Sequence, residues 1–260
     1  MGPVPANRLG EFLRARRAAA QPSPDQPPQR KRRTPGLRRE EVAARAAISA
    51  DYYTRLEQGR ERHPSPHVLD ALAAALELSP TETAYLHDLV TPPPTPRTTP
   101  PDERPNEYLA LVMTAWTLGP AYIVNRRTDV LAANPLAQQL FARFEHPDNV
   151  LRMVFLDPAA PRIWANWDTF ARYFAGGVRR LIGPVVDDDP EIVAMLAELS
   201  SANPTFAQLW ARHEISVPGS VVKRFNDDDL GEISLDFELL TAIDTPDQHL
   251  VLHRTLQPQP

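Results

Sequence analysis

The 260-residue chain has no cysteine. That removes disulfides, thiolate metal sites, cysteine nucleophiles and thiol redox chemistry together. Lysine is almost as scarce: Lys31 and Lys223 are its only two positions among 28 basic residues. Long apolar runs are missing too. The N-terminal stretch MGPVPANRLGEFLRARR has no apolar segment of export-signal length after its charges, so the cytoplasm, with its nucleoid, is the expected compartment. Tyr108 to Asn125 carries no formal charge, but Gly119-Pro120 divides it. The remaining helix of about 11 residues would span ~17 Å, against the ~30 Å of a bilayer core. The segment therefore reads as a buried helix followed by a strand, with no membrane partner. Also absent are a P-loop, a G-x-G-x-x-G turn, a nucleophile elbow and an H-E-x-x-H pair, so no enzymatic activity, cofactor or metal is expected.

What is present is uneven. Proline is abundant, at 29 residues. The stretch TPPPTPRTTPPDERP (residues 91–105) has the composition of a semi-rigid spacer. It separates a first unit (residues 1–90) from a second (residues 106–260). Charge divides along the same line: residues 7–62 hold 14 Lys/Arg against 7 Asp/Glu, and residues 91–260 hold 14 against 22. The net charge of −5 conceals this basic front and acidic back.

Five of the other prolines mark helix starts. Ser65-Pro66, Ser79-Pro80, Asn134-Pro135, Asp189-Pro190 and Asn203-Pro204 each set a capping side chain before proline at the first helical position. Ser79-Pro80-Thr81-Glu82 also has the spacing of a capping box. Helices are expected near residues 7–19, 38–46, 50–57, 66–77 and 80–89, making a compact all-α first unit. The second unit mixes types. Strands are expected on both sides of an Asn125–Thr128 turn, and in SVVKRF, EISLDFEL and HLVLHRT; helices are expected in WANWDTFARYFAGGVRRLIG, DPEIVAMLAELS and PTFAQLWARHE. The economical arrangement is an antiparallel sheet covered by helices.

Within GLRREEVAARAAISADYYTRLEQG, Val42, Ala43, Ala46, Tyr53 and Leu56 recur at helical spacing around a tight turn. Two short helices joined there bury this stripe against each other. Gly59 stops the second. Glu41, Val42, Ala43, Ala46, Ile48, Ser49, Leu56, Glu57 and Gly59 together resemble the helix-turn-helix of the Cro and phage-repressor type, the xenobiotic-response-element family. Ala47 stands where that family usually has a turn glycine. The resemblance implies double-stranded DNA as partner, with the second helix in the major groove. Carried over by position, Ala50, Asp51, Tyr52, Thr54 and Arg55 would face bases, and Arg39 and Ser49 would lie near phosphates. Arg32 and Arg33, in the basic run beside the motif, are candidates for phosphate or minor-groove contact.

The longer arrangement, running on through NPTFAQLWARHEIS to QHLVLHRT, resembles the MmyB-like regulators. That resemblance implies a PAS-like C-terminal domain that binds a fatty-acid-like ligand. Trp164, Trp167, Phe170 and Phe174 recur at spacings of three and four, as do Phe206 and Trp210. Such stripes are commonly core, and they are also the side chains that line an apolar pocket. Arg179, with Arg180, Arg212 or His213 as further choices, could meet a carboxylate head group. The expected protein is a homodimeric transcription regulator whose sensor takes a small apolar ligand. The alternative keeps the DNA-binding unit and makes the second unit a ligand-free dimerisation or docking module.

Overall fold

A computed structural model describes residues 7–21, 36–91, 104–183, 189–216, 221–227 and 231–256. Arg32, Arg33 and most of the proline-rich spacer lie outside them. The chain divides into two compact units, one built mainly on residues 7–91 and the other mainly on residues 104–256.

The first unit holds α1 (Arg8–Ala19), α2 (Arg39–Arg45), α3 (Ala50–Glu57), α4 (Pro66–Ala75) and α5 (Pro80–Asp88). Their boundaries follow the capping chemistry. Ser49 accepts from the Tyr52 amide at 3.1 Å. Ser79 and Glu82 exchange the two bonds of a capping box, at 3.3 and 2.9 Å. Phe12, Leu13, Val42, Tyr53, Leu56, Leu72 and Leu86 are fully buried and meet in one core. Phe12 and Tyr85 pack edge-on across it at 5.4 Å.

The turn between α2 and α3 passes through Ala47 with φ of +53°, the left-handed conformation that glycine adopts freely. A Cβ in that region costs roughly 1–2 kcal/mol, partly offset by the extra unfolded-state entropy a glycine would bring. Ala47→Gly should therefore stabilise this unit by about 0.5–1 kcal/mol. A chemical-denaturation midpoint that falls in the variant would contradict the strain. Gly59, at φ +70°, ends α3; a Cβ there would come within 2.6 Å of the Asn7 side chain.

The second unit contains α6 (Glu107–Ala115), β1 (Ala121–Asn125), β2 (Val130–Ala133), α7 (Pro135–Phe141), α8 (Val150–Phe155), α9 (Ala160–Ile163), α10 (Trp167–Ile182), α11 (Pro190–Ala202), α12 (Pro204–Ala211), β3 (Lys223–Asp227), β4 (Gly231–Thr241) and β5 (Gln248–Leu256). The strands form one antiparallel sheet in the order β2-β1-β5-β4-β3. An α-helical helix-turn-helix unit followed by an α+β unit is the fold class expected above. Buried Asn134 shows why the Asn-Pro signal works: its side chain caps α7 at the Ala137 amide (2.9 Å), accepts from the Ala121 amide (3.0 Å) and donates to the Gly119 carbonyl (3.1 Å). Asn203 caps α12 at the Phe206 amide in the same way (2.9 Å).

Two expectations change. The helix at Tyr108 is buried along one side only: Leu109 and Met113 pack on β1 and β5, whereas Tyr108 and Leu111 are 73% and 67% exposed. Uncharged sequence implied burial all round, but a helix lying on the face of a sheet is buried only along the side that meets the strands. The short α8 and α9 have no counterpart in the sequence reading, because four to six residues are too few to display a helical period.

Candidate DNA-binding surface and ligand pocket

In the first unit, α3 turns one face into the core and the other outward. Tyr53, Leu56 and Glu57 are fully buried; Ser49, Ala50, Asp51 and Arg55 are exposed, with Tyr52 and Thr54 half-buried between them. Thr54 spends its hydroxyl on the Ala50 carbonyl at 2.7 Å. The Arg55 guanidinium lies 5.6 Å from the Tyr52 ring centroid and 3.7 Å from the Asp51 carboxylate. Asp51 and Arg55, with the half-buried Tyr52 between them, thus form one group across the first turns of α3.

The C-terminal end of α3 is tied down by Glu57. Its carboxylate, with no solvent exposure, receives Arg17 Nε from α1 at 2.6 Å and Arg39 Nε from α2 at 2.7 Å. Its main-chain carbonyl receives Asn7 Nδ2 at 2.7 Å and Arg14 Nη2 at 3.1 Å. Burial opposes ionisation of Glu57, but the bonds and charges of the two arginines outweigh it and hold the carboxyl below its usual range. Arg39, expected near phosphate, therefore has its Nε committed to this carboxylate while its side chain stays 43% exposed.

In the second unit, a narrow cleft opens between α10 and the sheet. Its walls are almost entirely apolar: Val124, Phe174, Val178, Leu181, Phe237 and Val251 contribute, as does Lys223, whose amine lies 4.2 Å from the Phe237 ring centroid. Of the aromatic and basic residues singled out by spacing, Phe174 reaches this cleft. The others pack elsewhere. Trp164 is tilted among Phe144, Phe170 and Phe225 at 4.8–5.8 Å. Trp167 donates its indole N–H to the Val154 carbonyl at 2.8 Å. Phe206 stacks on Trp210 at 5.5 Å, and the Arg179 guanidinium covers Trp210 at 3.8 Å and donates to its carbonyl. An amphipathic helix points most of its aromatics at the interior, and only those above a gap line it.

Lys223 and its neighbour His253 escaped the sequence reading. A signal existed: on β3, Lys223 and Phe225 are buried while Arg224 and Asn226 are exposed, so the alternation puts a lysine on the inward face. Arg180 lines an adjoining, more polar opening with His249 and Glu238, and Arg212 lies 3.9 Å from Glu214.

Comparison with known families supplies the deciding observation: the model of the MmyB-like transcription regulator ligand binding domain matches residues 106–259. The chain belongs to the MmyB-like transcription regulators. A helix-turn-helix domain model matches residues 8–86, which include α1 to α5 up to Leu86. No curated protein matches the chain in sequence comparison. The MmyB-like match makes the second unit a ligand-binding domain, and the helix-turn-helix match makes the first a DNA-binding one. Among the described residues, no helix of this MmyB-like regulator is long and apolar enough to cross a membrane.

Proposed function

We propose that this MmyB-like regulator acts in the cytoplasm as a homodimer on paired DNA half-sites, and that a small apolar, fatty-acid-like ligand controls it. The apolar cleft between α10 and the sheet is the observation that carries the ligand half of this reading. Ligands prefer concave, mostly apolar sites with few polar groups. The exposed Asp51 and Arg55 on α3 support the DNA half: an arginine on a recognition helix can take guanine, and an aspartate can accept from a cytosine amino group. Ser49, Ala50 and Thr54 would join them in that contact, and Arg39, Arg32 and Arg33 would serve the phosphate backbone.

A two-fold dimer sets two recognition helices one helical turn of DNA apart. A ligand that prefers one arrangement of the sensor would shift the population of dimers with that spacing, with no change inside either reading head. Arg55→Ala should weaken binding to the cognate site by about 10-fold or more, with little change on unrelated DNA. Fluorescence anisotropy on fragments from upstream of the regulator's own coding region measures both; equal losses on all sequences would remove Arg55 from base readout.

The exposed apolar side of α6, with Tyr108, Leu111 and Val112, favours a second reading, in which the C-terminal unit only dimerises. Native mass spectrometry separates the two. The first reading expects a dimer that retains an apolar small molecule or accepts one on titration; the second expects a dimer that does neither.

A further inference from the structure

The amine inside the cleft suggests what chemistry the ligand carries. Apart from Lys31, Lys223 is the one position where this arginine-rich chain uses lysine. A guanidinium stays charged wherever it is placed, whereas a desolvated amine sheds its proton. Lys223 is 4% exposed, and its Nζ lies 3.0 Å from His253 Nε2. The ring centroids of Phe237 and Phe170 lie 4.2 and 5.1 Å from it. His253 Nδ1 sits 3.2 Å from the Pro120 carbonyl, which can only accept. Nδ1 therefore carries the proton, and Nε2 is a bare acceptor for one Lys223 N–H.

The titratable groups nearest the amine are His253 on β5, Tyr122 on β1 and Tyr173 on α10. Among the described residues no carboxylate pairs with Lys223, and no second cation lines the cleft. A carboxylate ligand would meet this amine as an ion pair. An aldehyde brings no charge to desolvate.

We propose that Lys223 captures an apolar aldehyde as a reversible imine, with the aldehyde's chain lying in the cleft between α10 and the sheet. The unprotonated amine adds its lone pair to the carbonyl carbon, giving a carbinolamine. Loss of the hydroxyl and the nitrogen-bound proton as one water leaves the carbon–nitrogen double bond, and hydrolysis reverses it. No oxidant, reductant or cofactor enters. Burial supports this chemistry by lowering the lysine to about 7, so a large share of the amine is free at neutral pH. His253 is held well below its ordinary value, by burial first and by the Lys223 charge second, and does not compete as a cation.

This inference rests on the reading of the cleft as an apolar-ligand site, and the experiment separates the two. The full-length protein is treated with decanal and sodium cyanoborohydride, which reduces an imine to a stable secondary amine. The expected result is one decyl group on Lys223 by peptide mapping, at ten times or more the level on Lys31. The yield should rise with pH through about 7, far below the ~10.4 of an exposed lysine. Lys223→Met should abolish the adduct. Decanol binding detected by tryptophan fluorescence, with no decanal adduct, overturns the imine and leaves the apolar-ligand reading intact. Absence of binding by either compound overturns both. Decanoic acid that binds through Lys223 while decanal gives no adduct overturns the imine in favour of ion pairing, and equal labelling of Lys31 and Lys223 overturns it as well.

Discussion

Replacing Lys223 by methionine is expected to stabilise the ligand-binding unit by about 2–4 kcal/mol at pH 7. Burial lowers this amine from 10.5 to about 7. At ~1.36 kcal/mol per pH unit, keeping it charged in the folded state costs up to ~5 kcal/mol. The contacts with His253 Nε2 and the two phenyl rings persist in that figure, so they only partly offset the lost hydration. Methionine has similar length, carries no charge and adapts to irregular gaps.

The sign with pH follows from proton counting. Between about 7 and 10.5 the unfolded chain holds the lysine proton and the folded chain does not, so stability climbs as pH rises through that window. Below it the full cost of burying the charge remains. The gap between variant and wild type should therefore be widest at pH 7 and below, and narrow toward pH 10. Urea unfolding at pH 6, 7 and 9, followed by hydrogen exchange across residues 223–256, measures it. A variant less stable than wild type at pH 7 would show that the amine is held by interactions stronger than its desolvation.

Glu57→Ala has the opposite consequence in the other unit. Removing this carboxylate leaves Arg17, only 16% exposed, and Arg39 without the acceptor they share. Breaking one side of a buried ion pair costs about 3–5 kcal/mol, a large part of a small domain's stability. Arg17 retains the Leu37 carbonyl at 2.9 Å, which limits the damage but does not neutralise the charge. Because the Glu57 carboxyl is held below the ordinary range of a glutamate, its contribution is complete above that range and is lost as pH falls through the folded-state value. The wild-type unit should lose stability on acidification toward pH 3, and Glu57→Gln should show a shallower loss from a lower starting point. Thermal melts at pH 7, 5 and 4, with hydrogen exchange over residues 39–57, test both; an unchanged melting temperature in Glu57→Ala would mean the pair contributes nothing.

The two cases also show where sequence is legible. Helix starts announced by Ser-Pro or Asn-Pro lie where expected, because a cap and its helix are local to four residues. The helical period places Tyr53 in the core, whereas Tyr52 beside it is half-buried and packs partly against that core as well. Glu57 is visible as part of a motif, but its role is not, since Arg17 and Arg39 lie 40 and 18 residues away. The ligand cleft was harder still. Aromatic spacing marks the buried side of α10 but cannot tell which rings meet a void; that depends on β3 and β4 passing beneath the helix. Lys223 and His253 are 30 residues apart on different strands, and only the sheet order brings them together.

The attachment of α3 bears on how any signal can reach DNA. One carboxylate and one carbonyl at the end of that helix are held by α1, by α2 and by Asn7 before α1. Pivoting α3 against its neighbours would break several charge-assisted bonds around a buried carboxylate at once. The helix is mechanically continuous with its domain, like a key cut from the same metal as its handle. On the proposed reading, a regulatory event would act by moving this domain as one body, with α3 carried along unchanged.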